Sequence, residues 1–119
     1  MMKSIFIGFL VFAFFSCSGQ PCEKLQQKFS TYSEALSKIE RANFSFSDNV
    51  NTSKSSWIKN ARFYSCNNQD GYFILETSKK NYIFQGLPIE VWEDFKSAES
   101  FGSYYNSFIR GRYKLILEE

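Results

Sequence analysis

The side chains that could do chemistry in this chain are few, and their types decide much. Histidine is absent, which excludes Ser-His-Asp and Cys-His nucleophiles and zinc sites built on imidazole. The nucleophilic residues are three cysteines, Cys17, Cys22 and Cys66. Glu90, Glu93 and Asp94 lie close enough in sequence to offer a carboxylate pair for acid/base work, yet no nucleophile or oxyanion-binding group accompanies them. A solvated helix face explains them better. No catalytic residue, metal ligand or cofactor is assigned, and the chain reads as non-enzymatic. The groups left for recognition are basic and aromatic: Lys79, Lys80, Tyr82, Phe84, Tyr105, Asn106, Arg110 and Arg112.

Cys17 stands directly after a stretch unlike the rest. Lys3 provides a short positive segment, and Ile5 to Phe15 is eleven residues without charge. A membrane-spanning helix needs about 20 apolar residues, so this run has the length of a secretory signal peptide core. Phe14-Phe15-Ser16-Cys17 resembles a bacterial lipobox, with Phe14 where Leu is preferred and Phe15 where a small residue is. The resemblance implies a signal peptide over 1–16 and an acylated Cys17 heading a tether over 17–22. Several acyl chains give stable anchoring. Ser18 in place of Asp directs the expectation to the outer membrane, facing the periplasm, with a soluble periplasmic protein as the alternative. Apart from the acylated Cys17, removal of the leader leaves two other cysteines, Cys22 and Cys66, an even pair expected to form a disulfide in an oxidising compartment.

The remaining elements follow from periodicity. Leu25, Phe29, Tyr32, Leu36 and Ile39 recur at four- and three-residue spacing and predict an amphipathic helix over 23–42. It is expected to dock on the chain's own apolar surface, leaving a monomer. Residues 43–54, rich in Ser and Asn, read as a linker. Aromatic and β-branched runs at 57–65 and 72–77, then Tyr82-Ile83-Phe84, predict three strands joined by turns at 67–71 and 78–81. Pro88 suits a helix start, Phe101 to Ile109 has helical spacing, Gly111 is a stop signal, and Tyr113 to Leu117 is a short apolar tail. The expected fold is α+β, a three-stranded antiparallel meander packed against two C-terminal helices and preceded by the amphipathic helix.

Residues 55–116 resemble the KTSC domain, a family named for its place at the C-terminus of some lysyl-tRNA synthetases. The likeness rests on Ser55-Ser56-Trp57-Ile58, then Tyr82-Ile83-Phe84 followed by Gly86-Leu87-Pro88, the small-residue segment Ser97 to Asn106, and Ile109-Arg110-Gly111-Arg112-Tyr113. Phe84 stands where the family carries a second Tyr. The resemblance implies the fold and, through the synthetase context, an RNA-binding role. Charge does not favour that role, because nucleic-acid affinity rests on clustered cations. Over residues 55–119 eight basic residues meet eight acidic ones. The first expectation is therefore a lipid-anchored accessory module of the cell envelope that binds a protein or polymer, and RNA binding is the alternative.

Overall fold

The computed structural model describes residues 19–118. The expected leader and Cys17 lie outside the described residues. A 3-10 turn at Cys22–Lys24 leads to helix α1 (Tyr32–Arg41). Four strands follow, β1 (Phe46–Val50), β2 (Ile58–Ser65), β3 (Asp70–Thr77) and β4 (Asn81–Pro88), then helix α2 (Ile89–Lys96), the short α3 (Phe101–Tyr104) and a π-helical turn at Tyr105–Ile109. The strands form one antiparallel sheet in the order β1-β2-β3-β4. The fold is α+β with a sheet of four strands, one more than expected.

Strand β3 shows why the sheet needs cover on both sides. Phe73, Ile74 and Leu75 are consecutive, so their side chains alternate between faces, and all three are fully buried. On one face Phe63, Phe73, Leu75 and Leu87 pack with Trp92, Phe95, Phe101 and Ile109 from the C-terminal helices. Phe63 stacks on Trp92 at 5.5 Å and Phe73 meets Phe95 edge-on at 5.1 Å. On the other face Ile74 and Ile83 pack under Leu25, Phe29, Ala35, Ile39 and Leu115. The sheet is the middle of three layers.

The extra strand comes from the segment expected to be a linker. Phe46, Asp48 and Val50 turn inward while Ser47 and Asn49 are exposed, a strand alternation with a carboxylate at its centre. The expected helix over 23–42 is also shorter. Only Tyr32–Arg41 is helical, begun by Thr31, whose Oγ1 accepts from the Glu34 N–H at 3.1 Å. The Glu34 carboxylate accepts in turn from the Ser30 N–H at 2.7 Å, a capping arrangement that fixes the start. Leu25 and Phe29 are buried from an irregular segment, and Tyr32 is exposed. Gly19 to Cys22, expected within a tether, is instead bonded to the domain, with Asn43 N–H donating to Gln20 O and Cys22 N–H donating to Asn43 O.

The β2–β3 turn sets the geometry of one end of the sheet. At the β2–β3 turn the Ser65 hydroxyl donates to Asp70 O at 2.6 Å, and Asn67 Oδ1 accepts from the Gln69 and Asp70 N–H groups. Gly71 follows at a register shift, where any Cβ would run into the Tyr64 carbonyl oxygen. The same turn caps α2, because Ile89 N–H donates to Gln69 O at 2.8 Å. Pro88 closes β4 and occupies the N-cap of α2, one residue before the helix. The C-terminal tail forms isolated bridges in place of a further strand: Lys114 faces Phe84 and Leu117 faces Phe29.

Candidate functional site

The recognition residues singled out above divide into two sets. Phe84 and Tyr105 are core residues, each 7% exposed, with rings 5.8 Å apart. Neither offers a free face for stacking, which corrects the expectation for both. Their neighbours at the outer edge of β4 differ. Lys79 and Lys80 form the exposed β3–β4 turn, whose backbone N–H groups donate to Thr77 Oγ1. The Lys80 ammonium lies 4.9 Å from the centre of the half-buried Tyr82 ring, a cation–π contact. Asn106 within the π turn and Arg110 and Arg112 after it are exposed, with the Arg110 guanidinium 3.5 Å from Asn106 Oδ1.

Tyr105 links these groups electrostatically. Burial pushes its hydroxyl pKa up, Tyr82 and Tyr32 push the same way, and Arg110 pulls it down. Tyr82 and Arg110 thus both lie within electrostatic range of the buried Tyr105, with Lys80 over the Tyr82 ring and Asn106 beside Arg110. Tyr32 of α1 joins them, a residue that sequence periodicity had assigned to a buried stripe; its 44% exposure has no signal in the spacing. Lys79 and Arg112 make no side-chain hydrogen bond or ion pair among the described residues. The tail covers only part of the β4 edge, since Gln85 N–H donates to Tyr113 O at 2.7 Å and Lys114 bridges to Phe84.

Cys22 and Cys66 are joined by a disulfide, with Cα atoms 5.8 Å apart. It ties the N-terminal segment to the β2–β3 turn. Beside it lies a half-open cleft of about 350 Å³, walled by Phe44, Tyr64 and Tyr72 with Asn67, Asp70 and Gln85 at its rim. Gln85 is engaged there, donating to Gln27 O and accepting from Ile116 N–H. Burial pushes the Tyr72 hydroxyl pKa up.

Glu90, Glu93 and Asp94 are exposed on α2, and Glu93 pairs with Lys96 at 3.3 Å. Among the described residues the one grouping with metal-ligand character is Cys22, Glu23 and Cys66, and the disulfide takes both thiolates from it. No helix of the described residues is long and apolar enough to cross a membrane.

The KTSC domain family matches residues 74–113, from the middle of β3 to the turn after Ile109, about a third of the chain. The match supports the family resemblance over that span, which carries Lys79 to Arg112. No curated protein and no solved structure matches the chain.

Proposed function

We propose that this protein is a non-catalytic binding module of the cell envelope, carried on the periplasmic face of the outer membrane by an acylated Cys17. The observation that carries the binding role is the exposed end of the β4 edge, where Lys80 stacks on Tyr82 and Arg110 lies beside Asn106. Cations held next to aromatic and amide groups suit an acidic or polar partner, a protein or polymer of the envelope, and Lys79 and Arg112 add charge at its margins. The Cys22–Cys66 disulfide supports an oxidising compartment. The protein acts as a monomer in this reading, with no cofactor.

Two measurements test it. Radiolabelled palmitate enters the wild-type protein and not the Cys17→Ser variant; equal labelling of both removes the anchor. Crosslinking the lipidated protein in envelope extract captures a partner, and Lys80→Gln with Arg110→Gln reduces the capture at least tenfold. Undiminished capture removes the proposed surface. The KTSC match favours RNA as a second reading, opposed by the zero charge balance over residues 55–119. Salt-dependent binding to a short single strand, stronger than capture of any envelope component, would put RNA first.

A further inference from the structure

The geometry points to a second site at the C-terminal end of α1: a basic cleft that grips a phosphate of the membrane lipids and so sets how the domain sits on the bilayer. This inference rests on the anchored reading for its orientation, while the cleft itself stands on separate observations.

The cleft has a volume of about 510 Å³ and is lined by Gly19, Gln20, Lys24, Gln26, Lys38 and Arg41. Three of these six residues are cationic and none is acidic. Lys24 comes from the 3-10 turn, and Lys38 and Arg41 come from the last turns of α1. Cations at a helix C-terminus suit the helix dipole, which would account for Lys38 and Arg41 alone. It does not account for Lys24, which arrives from another segment and makes no ion pair among the described residues. Arg41, which lines the cleft, uses only Nε, donating to Ser37 O at 3.3 Å, so the two terminal nitrogens of its guanidinium have no protein partner among the described residues. Lys38 is partly engaged by Gln26 Oε1 at 3.0 Å and by Glu34 at 3.3 Å. With Glu34 counted, the cleft keeps an excess of two positive charges.

The position of the cleft identifies its occupant. Gly19 is packed so closely on the end of α1 that a Cβ there would strike the Arg41 carbonyl oxygen, and Asn43 Nδ2 donates to Gly19 O at 3.2 Å. The chain is therefore fixed to the domain from Gly19 onward. Only Ser18 separates Gly19 from Cys17, two residue steps with a reach of at most about 7 Å. An acyl group on Cys17 brings this cleft to the depth of the lipid headgroups. A basic patch next to an acyl anchor is a recognised pairing of membrane signals, each cation near an anionic surface contributing roughly fivefold to partitioning. The partner chemistry is a phosphate diester at a lipid surface.

The test uses the processed chain, residues 17–119 with Cys17→Ser, so that no acyl chain contributes; it contains every described element. It is floated with vesicles of phosphatidylcholine alone and of phosphatidylcholine mixed with phosphatidylglycerol. The expected result is partitioning onto the anionic vesicles that weakens with salt. Lys24→Gln with Arg41→Gln lowers the partition coefficient roughly 25-fold, and the charge-matched pair Lys59→Gln with Lys114→Gln lowers it much less. Equal losses for the two pairs, or no partitioning at all, overturn the site. Inorganic phosphate that saturates the cleft while vesicles do not would make it a site for a soluble anion and overturn the membrane assignment. Palmitate labelling of the wild type is read separately. Its absence together with retained flotation removes the anchor and supports the phosphate site.

Discussion

Asp48 is the residue whose surroundings most contradict its type. It sits on the edge strand β1 with its carboxylate turned toward α2, where Oδ2 accepts from Trp92 Nε1 at 3.0 Å and from Lys96 Nζ at 2.7 Å. Burial pushes its pKa up, but the donors from Lys96 and Trp92 outweigh that and hold it below the ordinary 3.8. Lys96 is raised in turn, chiefly by its bond to Asp48. A depressed carboxylate stabilises the fold above its unfolded pKa, and that contribution is lost as pH falls through the folded value. A raised lysine contributes below its unfolded pKa and loses that contribution only in strong alkali. Both are intact at neutral pH. The pair is more than a quarter exposed, which discounts its strength. Asp48→Asn is expected to cost about 1 kcal/mol at neutral pH, and its gap from wild type in urea midpoint to narrow progressively as pH falls below the ordinary carboxylate pKa. A gap of unchanged size in acid would mean that the charge of Asp48 is not what stabilises the fold. This carboxylate also hid the strand from the sequence reading. Phe44, Phe46 and Val50 alternate as a strand should, but Asp48 breaks the apolar row, and the Ser and Asn between them match a linker. The burial of Phe84 and Tyr105 was hidden differently, because aromatic spacing does not say which ring lies under a helix and which lies at an edge.

The N-terminal segment is the element whose position depends most on covalent chemistry. From Gly19 to Phe29 it has one short turn, and it is held by backbone bonds to Asn43 and by Phe29, whose N–H donates to Ile116 O at 3.0 Å. The Cys22–Cys66 disulfide closes a loop of 44 residues, for which the chain-entropy estimate is about 4 kcal/mol. Cys22→Ser with Cys66→Ser is expected to lose about that much in urea unfolding without reductant. Hydrogen exchange should rise first in residues 19–29, ahead of β2 and β3. A double variant as stable as wild type would show that packing alone holds the segment. The sequence placed Leu25, Phe29 and Ile39 correctly in the core but gave them one helix and put the exposed Tyr32 on the same stripe. The signal for the true helix start was local: Thr31-Tyr32-Ser33-Glu34 carries the Thr and Glu spacing of a capping box. Periodicity ran across that boundary because Leu25 and Phe29 keep their burial in a different backbone.

At the level of the whole molecule, the unit that folds is wider than the segment that resembles a family. The KTSC match begins in the middle of β3 and ends at Tyr113, and even residues 55–116 omit β1, α1 and the segment that carries Leu25 and Phe29. Those residues cover one face of the sheet. Without them Ile74 and Ile83, now buried, face water, and Phe29 and Ile39 no longer contribute. A fully buried large apolar side chain is worth about 1.5–3 kcal/mol, so the loss of several approaches the whole stability of a small domain, about 5–15 kcal/mol. Removal of β1 also takes Asp48 from Trp92, leaving the indole N–H to find another partner. A fragment of residues 55–116 is therefore expected to lack a cooperative thermal transition or to self-associate through its bare sheet face. Residues 19–118 are expected to melt in a single step as a monomer. Circular dichroism melts paired with sedimentation separate the two outcomes. A cooperative, monomeric melt of the short fragment within a few degrees of the longer one would show that the second face adds no stability, and would make the family segment the folding unit.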